Sequence, residues 1–306
     1  MHVAICICTF KRAEMLKRLL EGLDNLTFRK CPISEIVLVV VDNDPERSAQ
    51  EACKNTIYKW PLIYVSEPRR GIATARNRAI KEARGADFIA FIDDDEVPKE
   101  SWLDELLWVQ SQYDADLVSG PVLPVYPEGV PDWIIQGKFF DRPVDPTGTL
   151  LTWCRTGNLL IQSKVFDTVP EFDERLNFTG GEDALFSTRV HRAGYRMVSS
   201  ADAVVFESVT IQRISVASLL KRSYQYGSNY VLVQSLLGNG TLRTRLMRLV
   251  KACIKACMYC ARLGLSMFGG RIPIVRTLRK LCNEMGIIMK MLGYEYQPYR
   301  MISNKQ

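Results

Sequence analysis

The segment Gly85–Pro98 joins a short apolar run to four consecutive acids, and this junction restricts the folds open to the chain. Phe88–Ile92 is rich in β-branched and aromatic residues, as a buried strand is, and the acids Asp93–Glu96 follow it at once. Four carboxylates that repel one another at the end of a buried strand must stay in contact with water or with a cation. Because ligands of open α/β sheets bind outside the carboxyl ends of the strands, one interpretation is a divalent metal held through oxygen, together with a phosphate. The alternative is a solvated turn that caps the next helix, with Ser101 or Asp94 as the cap.

Strands alternate with helices as far as Tyr113, which predicts an α/β fold with a mostly parallel central sheet and helices on both faces. The second strand also ends on acids, Asp42 and Asp44, and we expect them at the same edge of the sheet as the first cluster. Strands are predicted at Val3–Cys8, Glu35–Val41, Leu62–Val65 and Phe88–Ile92, and helices at Arg12–Leu23, Pro45–Lys54, Ile72–Arg84 and Ser101–Tyr113.

The middle of the chain is less regular. Short apolar runs predict strands at Leu117–Val122, Asn158–Ile161 and Ala203–Phe206, and Glu182–Ala193 has the spacing of a helix. Pro124–Trp153 is rich in Pro, Trp and Phe and is predicted to be a long, ordered loop. Loops of this length inside a compact domain are usually functional, so we expect this one to influence specificity.

The segment Leu242–Met267 has an apolar side and a basic side at helical spacing. This pattern is typical of a helix in the interface of an anionic membrane, and the alternative is a helix packed on the catalytic domain with a solvated basic face. We therefore predict two regions, residues 1–235 and a basic, helical region 236–306. The apolar side comprises Leu246, Leu249, Val250, Cys253, Cys257, Cys260 and Gly264, and the basic side Arg248, Lys251, Lys255 and Arg262.

Composition narrows the class of protein further. Nine cysteines, an odd number, are scattered along the chain with no signal peptide ahead of them, so we predict free thiols and a cytoplasmic location. The sequence contains no uncharged apolar run of about 18 residues, so no transmembrane helix is predicted. The glycine-rich loops of dinucleotide- and ATP-binding proteins are absent from the sequence. The basic helix carries few charges and lacks aromatic stacking positions beside them, so no nucleic-acid partner is expected.

Seven short motifs occur in an order that identifies a family. They are Cys8–Arg12, Val41–Asp44, Ile72–Asn77, Phe91–Glu96, Arg155–Asn158, Gly180–Asp183 and Glu207–Val209. Over about residues 1–235 this series resembles the inverting glycosyltransferases of family 2, and among them the bacterial exopolysaccharide enzymes of the succinoglycan glucosyltransferase kind. The resemblance implies a nucleotide-diphospho-sugar transferase fold of the GT-A type.

The resemblance also implies a donor site at the ends of the strands. Asp42 would accept a hydrogen bond from a uracil N–H, with the Thr9 turn and Arg12 beside it. Asp94 is assigned to the same donor site. The alternative for Asp42 is an N-cap of the helix that begins near Pro45.

The acids after the fourth strand match the family's metal motif. Asp93 would face the ribose and the metal, and Asp95 the metal directly. Many relatives have a histidine where this chain has Glu207, and a carboxylate ligand there still suits Mg²⁺ or Mn²⁺. Such a cation offsets the diphosphate charge and stabilises the departing nucleoside diphosphate. Arg76 either contacts a phosphate or is an ordinary solvated arginine.

Asp183 is the predicted catalytic base. The two glycines before the Glu-Asp pair let the backbone approach a ligand closely, and the first turn of a helix favours a charged carboxylate. In the family this aspartate accepts the proton of the attacking acceptor hydroxyl, which implies a single displacement with inversion. Glu182 is the next choice for this role, or it holds the sugar hydroxyls. The alternative for Asp183 is a helix cap.

Together these features predict a metal-dependent enzyme with a UDP-sugar donor, UDP-glucose first, and a lipid-linked oligosaccharide acceptor for a surface polysaccharide. The basic helix predicts peripheral contact with an anionic membrane, on the inner face of the cell membrane. A nucleotidyltransferase would need a glycine-rich loop after the first strand, where this chain has Thr9–Arg12. A non-catalytic module that binds sugar nucleotides or membranes is the other alternative.

Overall fold

The computed structural model describes residues 1–54 and 57–301, and packing divides them into two compact units. The first unit comprises residues 1–125, 142–177 and 182–208, and the second comprises 126–141, 178–181 and the described residues from 209 onward. The functional boundary predicted between residues 235 and 236 stays a prediction, although by packing the helix that crosses it, Val216–Leu236, belongs to the second unit. The last five residues of the predicted region 236–306 lie outside the described residues.

In the described part of the first unit, ten strands form two sheets. They are β1 His2–Thr9, β2 Glu35–Asp42, β3 Leu62–Ser66, β4 Phe88–Ile92, β5 Glu96–Pro98, β6 Leu117–Ser119, β7 Val122–Val125, β8 Asn158–Gln162, β9 Met197–Ser199 and β10 Val205–Ser208. The larger sheet has the order β3-β2-β1-β4-β8-β6-β9, and the smaller has the order β5-β10-β7. In the larger sheet only β8 runs antiparallel, to both β4 and β6, so the predicted mostly parallel sheet is confirmed.

The helices explain why these strands are apolar on both faces. They are α1 Ala13–Asp24, α2 Gln50–Lys54, α3 Ile72–Glu82, α4 Trp102–Tyr113, α5 Asp132–Gly137, α6 Glu182–Arg192, α7 Val216–Leu236, α8 Leu242–Ser266, α9 Arg271–Met291 and α10 Pro298–Met301. Along β1, Ile5 and Ile7 enter one core with side chains of α1 and α4, whereas Ala4 and Cys6 enter another with side chains of α3 and α6. A strand covered on both faces is a continuous apolar run, which is why the first four strands are predictable.

The helix predicted at Pro45–Lys54 is wrong in its first half, because α2 begins only at Gln50. The Asp42 carboxylate accepts hydrogen bonds from the backbone N–H groups of Asp44 and Ala49, at 3.1 and 2.8 Å. Arg47 in addition has a φ of 58°. These contacts hold the segment between Asp44 and Ala49 in turns, so helix formation is delayed.

Three other predicted segments change in detail. The strand predicted at Leu117–Val122 is two strands, β6 and β7, in different sheets. Gly120 lies at the break, where a Cβ atom would stand 2.1 Å from the carbonyl oxygen of Ala203. The strand predicted at Ala203–Phe206 instead spans Val205–Ser208, and the predicted loop Pro124–Trp153 contains the end of β7 and the helix α5.

The second unit is helical and depends on close contact between α7 and α9. Gly227 and Gly286 make this contact possible, because a Cβ atom on either residue would lie about 2 Å from a backbone oxygen of the other helix (1.9 Å and 2.1 Å). A small apolar core beside these helices includes Ile134, Leu219 and Val275. The helix predicted at Leu242–Met267 is confirmed as α8. Within the described residues, none of the helices has the length and apolar character needed to cross a membrane.

A buried asparagine is expected to stabilise the first unit strongly. The Asn158 side chain is 1% exposed; it accepts a hydrogen bond from Trp102 Nε1 and donates to the carbonyl oxygens of Pro121 and Ala203. Asn158→Ala removes one hydrogen bond from each of these three buried groups, of which only the Pro121 oxygen keeps another donor, Val205 N–H, so the free energy of unfolding should fall by about 2–4 kcal/mol. Urea unfolding measures this loss.

The matched control is Gln162→Ala on the same strand. Gln162 is half-buried and its side chain makes one hydrogen bond, to the carbonyl oxygen of Ala115. We expect a loss of less than about 1 kcal/mol for this variant. Equal losses for the two variants would contradict the role assigned to Asn158.

Candidate active site

The buried acid Asp94 ties the end of β4 to the end of β1. Its carboxylate accepts hydrogen bonds from Thr9 Oγ1 at 2.8 Å and from Arg12 Nη1 at 2.9 Å. The same guanidinium lies 3.3 Å from Asp95 Oδ2. Burial raises the pKa of Asp94, and Arg12 opposes the rise because its charge favours the carboxylate. The predicted donor residues Thr9, Arg12 and Asp94 are therefore brought together, and Asp94 is occupied by protein contacts rather than capping α4.

Three more carboxyl groups, those of Asp95, Glu96 and Glu207, lie close to Asp94. The antiparallel pairing of β5 with β10 places Glu207 opposite Glu96, and Ser208 N–H donates to the carbonyl oxygen of Asp95 at 2.9 Å. Burial raises the pKa of Asp95 to about 7 against the opposing effect of Arg12, and the nearby carboxylates, including Glu207, add to the rise. Burial also raises the pKa of Glu96 well above its ordinary value. Desolvated, crowded carboxylates of this kind are stabilised by a cation.

The donor atoms of the predicted metal ligands Asp93, Asp95 and Glu207 fit Mg²⁺ or Mn²⁺ in chemistry, since all are carboxylate oxygens. Among the residues that the structure describes, no group of three His, Cys, Asp or Glu side chains is arranged to hold a metal ion. Glu207 Oε2 instead accepts a hydrogen bond from Arg142 Nη2 at 3.1 Å. The metal role of the three acids stays a prediction.

Arg76 links the acid cluster to the start of α6. Its guanidinium donates to Glu182 Oε1 and to Asp93 Oδ1, the latter at 3.4 Å, and it lies over the Phe172 ring at 5.6 Å from the centroid. Arg76 is only 4% exposed, so the alternative of a solvated arginine is wrong. Its contact with a phosphate stays a prediction.

The two acids that open α6 have different surroundings. Glu182 is buried, and burial raises its pKa although Arg76 opposes the shift. Asp183 is half-buried; its Oδ1 accepts a hydrogen bond from Ala184 N–H at 2.7 Å, and its backbone oxygen accepts one from Ser187 Oγ. Of the pair, Asp183 is the more open to a substrate, which favours it over Glu182 as the base.

Asp42 is the pairing partner of Thr9 on the adjacent strand, and it is fully buried. Besides the N–H groups of Asp44 and Ala49, its carboxylate accepts a hydrogen bond from the Tyr64 hydroxyl at 3.0 Å. The N-cap alternative ahead of Pro45 is wrong, because no helix begins there. The structure gives Asp42 the role of fixing the segment after β2, and its contact with uracil stays a prediction.

Two residues at this site were not assigned a role from the sequence. A Cβ atom on Gly157 would lie 2.7 Å from Glu96 Oε1 and 3.0 Å from Asp93 Oδ2, so the absence of a side chain there leaves room for the acid cluster. Gly157 belongs to one of the seven motifs, which is a signal that could have identified it. Arg142 lies in the segment predicted as a functional loop, and nothing local to it indicates its pairing with Glu207.

Comparisons with known proteins identify the family. The sequence profile described as "Glycosyl transferase family 2" matches residues 4–172. The chain is 33% identical over 234 residues to the succinoglycan biosynthesis protein ExoM of Rhizobium meliloti (strain 1021), covering 75% of this chain and 74% of ExoM.

Two solved structures show the same fold. The mannosyltransferase PcManGT from Pyrobaculum calidifontis, in complex with GDP-Man and Mn²⁺, superposes with a TM-score of 0.65 at 15% identity, over 96% of this chain and 88% of that one. S. aureus TarS 1-349 in complex with UDP-GlcNAc superposes with a TM-score of 0.55 at 16% identity, over 97% and 93%. The chain spans 42% of a longer TarS structure. The predicted GT-A-like fold is thereby confirmed.

The buried pair of Arg76 and Glu182 gives a prediction about stability. Arg76→Met leaves the buried Glu182 carboxylate without its cation, so the free energy of unfolding should fall by about 3–5 kcal/mol. The double variant Arg76→Met/Glu182→Leu removes both charges and should recover about 2 kcal/mol of that loss. Urea unfolding of the wild type, both single variants and the double variant forms the complete cycle. Additive losses would show that the two side chains do not depend on each other.

Proposed function

Because the chain belongs to glycosyl transferase family 2, as its motifs predict, we propose that it is a metal-dependent, inverting glycosyltransferase with a nucleotide-sugar donor. The donor is a UDP-sugar, with UDP-glucose as the first candidate. The observation that carries this proposal is the meeting of Asp93–Glu96 with Glu207 at the ends of β4 and β10, linked through Arg76 to the start of α6. Two solved structures with the same fold support the donor class and the cation, since one contains GDP-Man and Mn²⁺ and the other contains UDP-GlcNAc.

The chain's own residues supply binding, charge and proton transfer. Asp93, Asp95 and Glu207 would hold Mg²⁺ or Mn²⁺, which offsets the diphosphate charge and acts as a Lewis acid toward the leaving group. For Glu207 this requires Arg142 to give up its present hydrogen bond. Thr9 and Arg12 hold Asp94 in place at the edge of the site.

Asp183 accepts the proton of the acceptor hydroxyl as its oxygen attacks the anomeric carbon. The bond from that carbon to the diphosphate breaks, and the nucleoside diphosphate leaves with the bonding electron pair. A single displacement inverts the anomeric centre, so an α-linked donor gives a β-linked product. Glu182, held by Arg76, keeps the start of α6 in position.

The acceptor is a lipid-linked oligosaccharide of a surface polysaccharide, and the enzyme works on the inner face of the cell membrane. The similarity to a succinoglycan biosynthesis protein supports the polysaccharide. The helix α8 supports the membrane surface, because residues 242–266 contain six Arg and Lys residues and no Asp or Glu.

The donor and the metal can be tested together. Purified protein incubated with UDP-, GDP- and dTDP-sugars should slowly release UDP from one UDP-sugar in the presence of Mn²⁺ or Mg²⁺. EDTA should reduce the rate at least about 100-fold, because several kcal/mol of Lewis-acid stabilisation is lost. Nucleotide release measures the rate, and calorimetry measures binding. A protein that binds no nucleotide with either metal would contradict the proposal.

The base can be tested by a conservative change. Asp183→Asn should lower kcat by about 100- to 10,000-fold with little change in KM, because the amide cannot accept the proton. Glu171→Gln removes an exposed carboxylate on the same unit and should leave kcat unchanged. A variant Glu182→Gln that loses as much kcat as Asp183→Asn, while unfolding normally, would assign the base to Glu182 instead.

A further inference from the structure

The outward side of α8 is an apolar surface exposed to solvent. Successive residues of an α-helix are about 100° apart, so residues within about 160° of arc share one side. On this side lie seven large apolar residues, each between 45 and 84% exposed, and three exposed cysteines, with Arg243 as the single charge. We call these residues the α8 outer face: Leu242, Leu246, Met247, Val250, Ile254, Met258 and Leu265, with Cys253, Cys257 and Cys260.

The opposite side of α8 packs within the second unit and includes the half-buried apolar residues Leu249 and Leu263. Arg248 Nη2 donates to Gln234 Oε1 of α7 at 3.3 Å, and Lys255 Nζ lies 3.9 Å from Glu284 Oε1 of α9. Ala252, which is 2% exposed, lies on this side as well. A surface helix of a soluble protein normally buries its apolar side and exposes its polar side. In α8 an apolar side is left in solvent, next to basic residues that are exposed as well.

An exposed apolar surface of this extent marks an interaction site. Its charge indicates the kind of partner. The exposed basic residues Lys251 and Arg262 lie along one border of the outer face, and α8 has no acid of its own. A partner that is apolar under the face and negatively charged beside the border satisfies both features.

We propose that the α8 outer face inserts into the headgroup and acyl boundary of an anionic membrane, with the basic border on lipid phosphates. A helix lying in the membrane plane buries its apolar side by about 5–10 Å, which suits a helix too polar to span. The inference deepens the proposed function by naming the residues that enter the lipid. It rests on that function in one respect, because the proposed acceptor is itself anchored in lipid. Binding is then mainly apolar, so it resists salt better than a purely electrostatic contact.

A second copy of the chain suits this face less well than lipid. Two α8 helices packed face to face would bring their basic borders together, and neither helix carries an acid to offset the repulsion. An anionic lipid surface offers both the apolar layer and the opposite charge. The three cysteines make the two cases distinguishable, because they lie within the face itself.

Vesicle sedimentation tests the proposal on the full chain. Vesicles of phosphatidylcholine with 30% phosphatidylglycerol should bind the wild type, and the bound fraction should stay above half in 0.5 M NaCl. The triple variant Leu246→Gln/Ile254→Gln/Met258→Gln changes only exposed side chains and should bind at least tenfold more weakly. The control Met285→Gln/Leu292→Gln changes two exposed apolar residues of the second unit outside the face and should bind like the wild type.

Thiol labelling gives a second and independent measurement. A membrane-impermeant, charged maleimide should react rapidly with Cys253, Cys257 and Cys260 in solution, whereas the other six cysteines are buried or half-buried. Mass spectrometry should show at least tenfold slower modification of these three thiols on anionic vesicles. The triple variant should show no protection.

Three results would overturn the proposal. The first is that the protein does not bind anionic vesicles, and the second is that it binds them without protection of the three thiols. The third is that the thiols are already protected in solution and light scattering gives a doubled mass, which would assign the face to a second copy. UDP release measured without vesicles keeps the two hypotheses apart. Release without vesicle binding refutes the membrane face alone, and vesicle binding without nucleotide binding refutes the transferase alone.

Discussion

The tie between Asp94 and the end of β1 is the interaction on which the rest of the candidate site depends. Acids that follow a buried strand would repel one another and separate unless cations lie among them. Arg12 contacts Asp94 and Asp95, and Thr9 completes the hydrogen bonding of Asp94. Because Thr9 and Asp94 belong to the ends of adjacent parallel strands, one buried carboxylate holds the edge of the sheet together at the place where ligands bind.

Arginines from three different segments balance the charge around this edge. Arg12 lies just before α1, Arg76 lies on α3, and Arg142 lies in the segment between β7 and β8; each is paired with at least one of the acids. The arginine side chains of the protein itself therefore hold the carboxylates in place. A site built in this way is organised before a substrate arrives, which is the condition for electrostatic stabilisation of a transition state.

Those parts of the fold and site that depend on local pattern could be predicted, and those that depend on distant partners could not. The strands β1 to β4 are continuous apolar runs, and the acids follow them directly, so both could be identified. The late start of α2 depends on hydrogen bonds that the Asp42 carboxylate accepts from Asp44 and Ala49, which periodicity does not reveal, and the pairing of Glu207 with Arg142 spans 65 positions. Periodicity identified the two sides of α8, but it does not tell which side packs on the neighbouring helices.

The close approach of α7 and α9 at Gly227 and Gly286 has a mechanical consequence for the helical unit. Each glycine lets the backbone of the other helix come so close that a side chain would not fit, so the two sites fix the position of α7 along α9. A shift by one helical turn, about 5.4 Å, would put larger side chains into both gaps. The two helices therefore resist sliding past each other. Because α8 packs on α9, it is supported by a helix whose position along α7 is fixed.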